Sequence, residues 1–397
     1  MSSKSFKINT VHLYYAFSFL KAFSMFGAVL IPFFTVWGKI SLFQVQLLQS
    51  WFMFWIFILE IPTGAIADRF GRKFSLALGG LIVAFAAFIY GSVPKFEVFL
   101  LGEFLFAVAI AFISGADEAL LYDSLKESGR EGESKKVFGS VRSFELLAMF
   151  LSALLGSLVA SKLGLNAPMF LSFIPFFLAM VAALLMREPK RSRDISESRR
   201  YLDIAKKGLS YLRGHRQLKI IAIDGVLVSG AAYFVIWFYQ VLLERLQIPV
   251  LYFGYFNAFL VASEIMVTSN FVRLERLFTS GSNFLKFGAL ATGITFLLVA
   301  ALPSVFSVCL FLLMAGGLGL TRLDLLSAYM NKFIPSEQRA TILSSISMLR
   351  RFLLVVLNPI VGFIADKSLV LALCLIGALS LGVFIFSPLK KEVLEAS

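Results

Sequence analysis

The sequence predicts an all-α membrane protein of twelve transmembrane helices in two six-helix bundles, on three observations. First, 59% of the 397 residues are hydrophobic and only 15% are charged, with a mean hydropathy of +0.85. A soluble chain carries about a quarter of its residues as charges. Second, the apolar residues fall in long blocks, such as Phe74 to Tyr90 and Phe170 to Met186. These approach the roughly 20 residues a helix needs to cross about 30 Å of hydrocarbon. Third, the long polar stretch from Arg187 to Lys219, rich in Arg, Lys and Ser, lies mid-chain between two sets of such blocks. Alternation of period two is scarce, which argues against a transmembrane barrel.

Taken in order, the spans are expected at 10–37, 43–66, 73–92, 97–123, 137–161, 166–187, 217–243, 250–272, 284–302, 305–331, 340–365 and 368–388. The chain then divides into an N-terminal bundle (1–187), a cytoplasmic linker (188–216) and a C-terminal bundle (217–397). Within the linker, Tyr201 to Arg213 suits a short amphipathic helix on the membrane surface. The first block contains Lys21 and lacks a small-residue cleavage site, so it reads as a retained helix.

A net charge of +13 would point to nucleic acid in a soluble chain. Here most basic residues lie between the apolar blocks, so no nucleic-acid partner is expected. With the N-terminus inside, one side holds Lys4, Lys7, Arg69, Arg72, Lys73, Lys126, Arg130, Lys135, Lys136, the linker, Arg273, Arg276, Lys286, Lys332, Arg339, Lys390 and Lys391. The other keeps Lys39, Lys95, Lys162, Arg245 and Lys367. The positive-inside rule therefore puts both termini in the cytoplasm, with the chain in the plasma (inner) membrane. Cys309 and Cys374 sit in apolar blocks and form no metal or redox motif. Without a nucleophile, metal-ligand or phosphate-loop pattern, no enzyme activity, metal or cofactor is expected.

The charges inside the blocks carry the architecture. Helices 3, 6 and 12 have essentially none, and helix 9 has only Lys286 near its end. A charge facing lipid costs several kcal/mol, so the charged helices should face protein or water and every third helix should face lipid. This is a nested repeat of four three-helix units.

Between helices 2 and 3 the sequence reads Gly64-Ala-Ile-Ala-Asp68-Arg69-Phe-Gly71-Arg72-Lys73. This resembles the G-x-x-x-D-R-x-G-R-K loop of the major facilitator superfamily, at the position where that family carries it. With twelve helices and a long central linker, the resemblance spans nearly the whole chain and implies a secondary transporter. An ordinary basic loop would account for the arginines, but not for Gly64, Asp68 and Gly71. Gly64 suits close approach of helix 2 to a neighbour, and Asp68 suits the positive N-terminal end of helix 11. Gly71 permits a tight turn, and Arg72 can pair with an acid at the end of helix 4, such as Asp123. In the family such contacts hold the outward-facing state, which makes Gly64, Asp68, Arg69, Gly71, Arg72, Lys73, Asp123 and Arg142 the expected gate. Weaker echoes at Leu274-Glu275-Arg276, Asn358-Pro359-Ile-Val-Gly362 and Ser114 to Asp123 look like bacterial efflux-type members of unassigned substrate. Two features depart from the drug/proton antiporters. Glu103 stands where they usually have an arginine, and Met149 to Gly156 replaces their G-x-x-x-G-P-x-x-G-G motif.

The resemblance further implies that helices 1, 4, 7 and 10 line a central cavity, which puts Lys21, Glu103, Asp117, Asp224, Arg322 and Asp324 there. Lys21 lies about eleven residues into helix 1, hence roughly 16 Å deep. It reads either as an anchor for a substrate anion or as the structural partner of an acid such as Glu103. Tyr233, Trp237, Tyr239 and Gln240 on helix 7 are further substrate candidates, against packing as the alternative. Glu60, Asp117, Glu118 and Glu145 form a group with Arg142 in the first bundle. Buried, partly paired carboxylates suit reversible protonation, and static ion networks are the alternative. Glu264 in helix 8 joins the proton-coupling candidates. The expected protein is a monomer in the lipid bilayer, carrying a small organic molecule in exchange for or together with a proton, with efflux favoured. Uptake of an anionic metabolite and a transport-inactive receptor or scaffold are the alternatives.

Overall fold

The computed structural model describes residues 10–189, 208, 210–335, 338–389 and 394. Among them it is built of helices and contains no strand. The helices long and apolar enough to cross a membrane number twelve. They are α1 (Thr10–Trp37), α2 (Leu42–Phe70), α3 (Arg72–Tyr90), α4 (Phe96–Glu127), α5 (Ser134–Leu163), α6 (Ala167–Leu185), α7 (Arg216–Arg245), α8 (Val250–Ser269), α9 (Gly281–Ala301), α10 (Val305–Met330), α11 (Arg339–Lys367) and α12 (Leu369–Phe386). The twelve expected spans are thus borne out, most of them within a few residues at each end. Most of the surface helix expected at Tyr201 to Arg213 lies outside the described residues, as do Lys4, Lys7, Lys390 and Lys391.

Several helices are interrupted, and the freed backbone groups find partners. In α1 the regular helix ends at Ala22 and the chain passes through a short turn at Gly27–Val29. Beyond Pro32, which has no N–H to give, it widens into a π-helical turn at Phe33–Trp37. The Met25 N–H donates to Ser172 Oγ of α6 at 3.1 Å, and the Ile31 N–H to Gln240 Oε1 of α7 at 2.9 Å. Buried backbone donors need such substitutes wherever a helix breaks. The interruption of α4 at Gly115–Ala116 makes Asp117 and Glu118 the first turn of a new helical segment, where the helix dipole favours acids. In α10 the run Leu312–Leu320 is π-helical.

The residues group into two compact units, Met1–Gly27 with Phe54–Ser198 and Ala28–Met53 with Arg199–Ser397. Bundle boundaries at 187 and 217 follow the chain, whereas these units also part at the break in α1 and within α2.

In the first unit, α3 packs on α4 and α6, while α1 packs on α5 and α6. Its core includes Phe17, Leu76, Leu120, Leu125 and Ala183. The approach of α5 to the broken part of α1 requires Gly156, where a Cβ would stand 1.7 Å from the Met25 carbonyl oxygen. In the second unit, α9 packs on α12 and α10 on α8, around Leu218, Ile221, Phe284, Leu326 and Met330. The charge-free helices expose bulky apolar side chains, such as Phe85 and Phe88 on α3, Leu178 on α6, Ile294 on α9 and Leu371 on α12. This is the surface lipid requires, yet α3, α6 and α9 also bury about half their length against neighbours. Facing lipid describes one side of each of these helices.

Candidate functional site

In the first unit three helices converge on Lys21. It follows Tyr14 and Phe17 on the same face of α1, and its ammonium lies 5.6 Å from the centre of the Phe17 ring. Asp117, in the first turn after the α4 break, binds the ammonium directly. Glu145 of α5 stands 3.2 Å from it on the other side. The Tyr14 hydroxyl, itself buried, donates to the second oxygen of Asp117. Arg142, one turn before Glu145 and largely exposed, reaches that carboxylate at 3.4 Å. Side-chain exposures of 21%, 13% and 18% for Lys21, Asp117 and Glu145 leave the trio mostly enclosed while still open to water. One lysine is therefore shared by two carboxylates on different helices.

Lys21 does not pair with Glu103, which was named as a possible partner. The Glu103 carboxylate lies earlier on α4 than Asp117, buried and accepting from the Tyr90 hydroxyl of α3 at 2.9 Å. Nor is Lys21 an uncompensated cation waiting for an anion, because two acids already neutralise it. Of the other acids in the group, Glu60 is half-buried on α2 and Glu118 is exposed. Glu264 is half-buried on α8 in the other unit.

Within its own unit the loop from Gly64 to Lys73 has several anchors. Gly71 has φ of 104° and caps α3, a conformation that a side chain resists. The N–H groups of Arg72 and Lys73 donate to the two Glu188 carboxylate oxygens at 2.9 and 2.7 Å, an anion on a helix N-terminus. The Arg72 guanidinium grips Asp123 and the Ala119 carbonyl, the latter at 2.7 Å. Arg69 lies over the Phe70 ring, and Asp68 is exposed on the last turn of α2. A Cβ at Gly64 would meet nothing within 4 Å, while the Gly64 Cα lies 3.7 Å from where a Cβ on Gly115 of α4 would stand.

In the second unit Asp224 and Arg322 are 3% and 2% exposed and locked together. Arg322 donates through Nε and a terminal nitrogen to one Asp224 oxygen at 2.8 and 2.5 Å, and to the Leu285 carbonyl at 2.5 Å. The Ser387 hydroxyl donates to the second Asp224 oxygen at 2.8 Å. This satisfied pair ties α7, α9, α10 and the end of α12 together. Its burial corrects the expectation that both side chains line a cavity. Trp237 is likewise buried, at 4% exposure, while Tyr233 is half-buried and Asp324 exposed. Tyr239 accepts from Asn257 at 3.0 Å, and Gln240 is the acceptor for the broken part of α1.

The sequence reading did not single out a seam in this unit where the far ends of α1 and α2 join α7 and α11. Asp366, on the last turn of α11, accepts from the Leu42 and Phe43 N–H groups at 2.8 and 3.1 Å. Ser41 and Gln44 satisfy the rest of that helix start reciprocally. Ser50 Oγ donates to the Val355 carbonyl at 2.9 Å, and Thr35 to Glu244 at 3.3 Å. The buried side-chain amides of Gln46 and Asn358 have no hydrogen-bond partner among the described residues. A local signal existed in the capping pattern Ser41-Leu-Phe-Gln44 with no acid of its own. Nothing local identified Asp366 as the acid supplied.

Against known proteins, the sequence profile of the Major Facilitator Superfamily matches residues 12–356. The chain belongs to that family. Its members are transporters, not enzymes. A relative from Bacillus subtilis (strain 168), described as the uncharacterized MFS-type transporter YxaM, is 22% identical over 348 residues, covering 84% of this chain and 83% of its own. The crystal structure of the nucleoside transporter NupG superposes with a TM-score of 0.76 at 14% identity, covering 95% of this chain and 98% of its own. The POT family transporter PepTSo does so with a TM-score of 0.75 at 14% identity, covering 98% of each chain. At these identities the two structures share the fold alone. The chain is a multi-pass membrane transporter of the superfamily.

Proposed function

We propose that the chain is a proton-coupled secondary transporter of a small organic molecule. It works as a monomer by alternating access in the plasma (inner) membrane, with both termini cytoplasmic. The observation that carries this reading is the sharing of Lys21 between Asp117 and Glu145. When either acid takes a proton, the other still neutralises the lysine, so the site changes charge without stranding an ion. Such a site can load and release a proton at modest cost, which a closed pair such as Asp224–Arg322 cannot. The loop from Gly64 to Lys73, anchored by Glu188 and Asp123, is the element we assign to gating. Similarity of the motifs to efflux-type members favours export.

The test uses purified protein in proteoliposomes, with a transported compound found by screening nucleosides, peptides and drugs. Wild-type protein should accumulate that compound when a pH gradient is imposed. Asp117→Asn and Glu145→Gln should lose this accumulation but keep substrate-for-substrate exchange, which moves no net proton. Gradient-driven accumulation that survives in both variants would remove the coupling assignment.

A further inference from the structure

The two acids that share Lys21 are held in different ways. Asp117 has a donor on each oxygen: Lys21 binds Oδ2, and the Tyr14 hydroxyl donates to Oδ1. Both donors come from one face of α1, two helical turns apart. Tyr14 is 1% exposed and belongs to the core around Phe17 and Leu120, so its hydroxyl has no water to turn to. Glu145 is held more loosely. Its Oε1 stands 3.2 Å from the Lys21 ammonium, and its Oε2 stands 3.4 Å from an Arg142 nitrogen. Both distances exceed those of a strong charged hydrogen bond, and the Arg142 side chain is 58% exposed, where water screens it. Tyr15 of α1 stacks on Phe144 of α5, their ring centroids 5.2 Å apart, which fixes Glu145 at this height.

These contacts decide which carboxylate can accept a proton at least cost. Among the described residues, Lys21, Tyr14 and Arg142 are the charged or titratable groups bonded to or paired with the two acids. Glu118, beside Asp117, is exposed and is a further acid in electrostatic reach of Tyr14. A proton on Asp117 must take an oxygen that already receives a hydrogen. If it takes Oδ1, the Tyr14 hydroxyl either loses its acceptor or reverses to accept, and its own hydrogen is then buried without a partner. A proton on Glu145 Oε2 only displaces an exposed guanidinium into water.

We infer that Tyr14 is a positioning residue: it reserves Asp117 as the standing counter-ion of Lys21 and leaves Glu145 to take the proton. In the step, water delivers a proton to Glu145 Oε2 and one O–H bond forms. Arg142 turns out to solvent, and the Lys21–Asp117 pair stays closed. Release is the reverse, and no other bond changes. The inference rests on the proton-coupled reading above and assigns its proton to one carboxylate.

The test is modification of the full-length protein in lipid nanodiscs by dicyclohexylcarbodiimide, which adds to protonated carboxyl groups, followed by peptide mass spectrometry. Side-chain exposures of 13% for Asp117 and 18% for Glu145 give the reagent similar access. At acid pH, Glu145 should carry about tenfold more adduct than Asp117, the factor that one hydrogen bond to a charged group supplies. Alkaline pH should suppress the adduct. Tyr14→Phe keeps the ring and removes the hydroxyl, and should raise the Asp117 share about tenfold. A tyrosine that served packing alone would leave that ratio where it was. Adduct mainly on Asp117 in the wild type, or an unchanged ratio in Tyr14→Phe, overturns the inference. If neither acid reacts, infrared difference spectra between acid and alkaline pH decide. The carboxyl band that disappears in Glu145→Gln should shift on isotopic labelling of glutamate. A shift on labelling of aspartate instead, or no such band, overturns the inference. Because the labelling needs neither substrate nor gradient, it fails separately from the coupling. Adduct on Glu145 while accumulation persists in Asp117→Asn and Glu145→Gln removes the coupling and leaves this assignment. Coupling lost in those variants as proposed, with the adduct on Asp117, does the reverse.

Discussion

Replacing Lys21 by Met leaves Asp117 and Glu145 facing each other across the space the ammonium filled, helped only by Tyr14 and the exposed Arg142. Breaking a buried ion pair from one side costs about 3–5 kcal/mol. Side-chain exposures between 13% and 21% let some water in and put this case near the lower end, about 3 kcal/mol. Asp117→Asn alone keeps Lys21 paired with Glu145, so it should cost about 1.5 kcal/mol, the loss of one charged hydrogen bond. If the two changes acted independently, the double mutant would lose about 4.5 kcal/mol, but with the repulsion gone it should lose about 2. The difference, about 2.5 kcal/mol, is a coupling energy within the range found for residues in one network. Unfolding of the wild type and three variants in detergent measures it, and the Lys21→Met variant should melt roughly 5 °C or more below wild type. Glu103→Gln in the Lys21→Met background is the control, because Glu103 bonds Tyr90 and its removal should rescue nothing. A cycle additive to within about 0.5 kcal/mol, or rescue by Glu103→Gln equal to that by Asp117→Asn, would refute the shared-lysine reasoning.

Four other outcomes follow from the geometry. Gly71→Ala should destabilise by about 1–2 kcal/mol, the cost of left-handed backbone, and crowd Glu188. Gly64→Ala should unfold with wild type, and thermal melts of the two compare them. Arg322→Met and Asp224→Asn should each cost about 3–5 kcal/mol, with much of the loss recovered in the double mutant, as denaturant titration of the set will show. Asp366→Asn removes an anion from the start of α2 at a cost of about 0.5–1 kcal/mol. In a Cys309→Ser, Cys374→Ser background, alkylation of Ser50→Cys should then quicken by about two- to fivefold, and an unchanged rate would mean that Asp366 does not hold the start of α2. In the same background, an impermeant maleimide should label Ser92→Cys in intact cells and Ser128→Cys only after permeabilisation, and the reverse pattern would invert the proposed topology.

The twelve spans were legible because the bilayer imposes one requirement on every residue of a crossing helix, and composition alone records it. The Gly71 turn was legible for a similar reason, since a positive φ selects glycine wherever the neighbours lie. Arg72 with Asp123 was legible because the loop and the end of α4 had to emerge on the same side. The partner of Lys21 was not. Glu103 and Asp117 lie on α4 and Glu145 on α5, and the choice among them depends on where α4 breaks. The break at Gly115–Ala116 redirects the helix and makes Asp117 the first residue of the new segment. A single glycine in an apolar run does not announce such a break.

The same limit explains why charges of identical appearance in the sequence have opposite characters in the structure. Asp224, Arg322 and Arg350 are all ionisable residues within apolar spans, and depth from the span ends does not separate them. What separates them is whether the neighbouring helix presents a complementary group at the same height. Arg322 meets Asp224 of α7, the Leu285 carbonyl of α9 and, through Asp224, Ser387 beyond α12. Arg350 stands one turn before the point where Leu353 touches Gly230 of α7, and its enclosed Nε has no acceptor among the described residues. A fully met charge holds a bundle together. That distinction is a property of pairs of helices, so it emerges only once the helices are assembled.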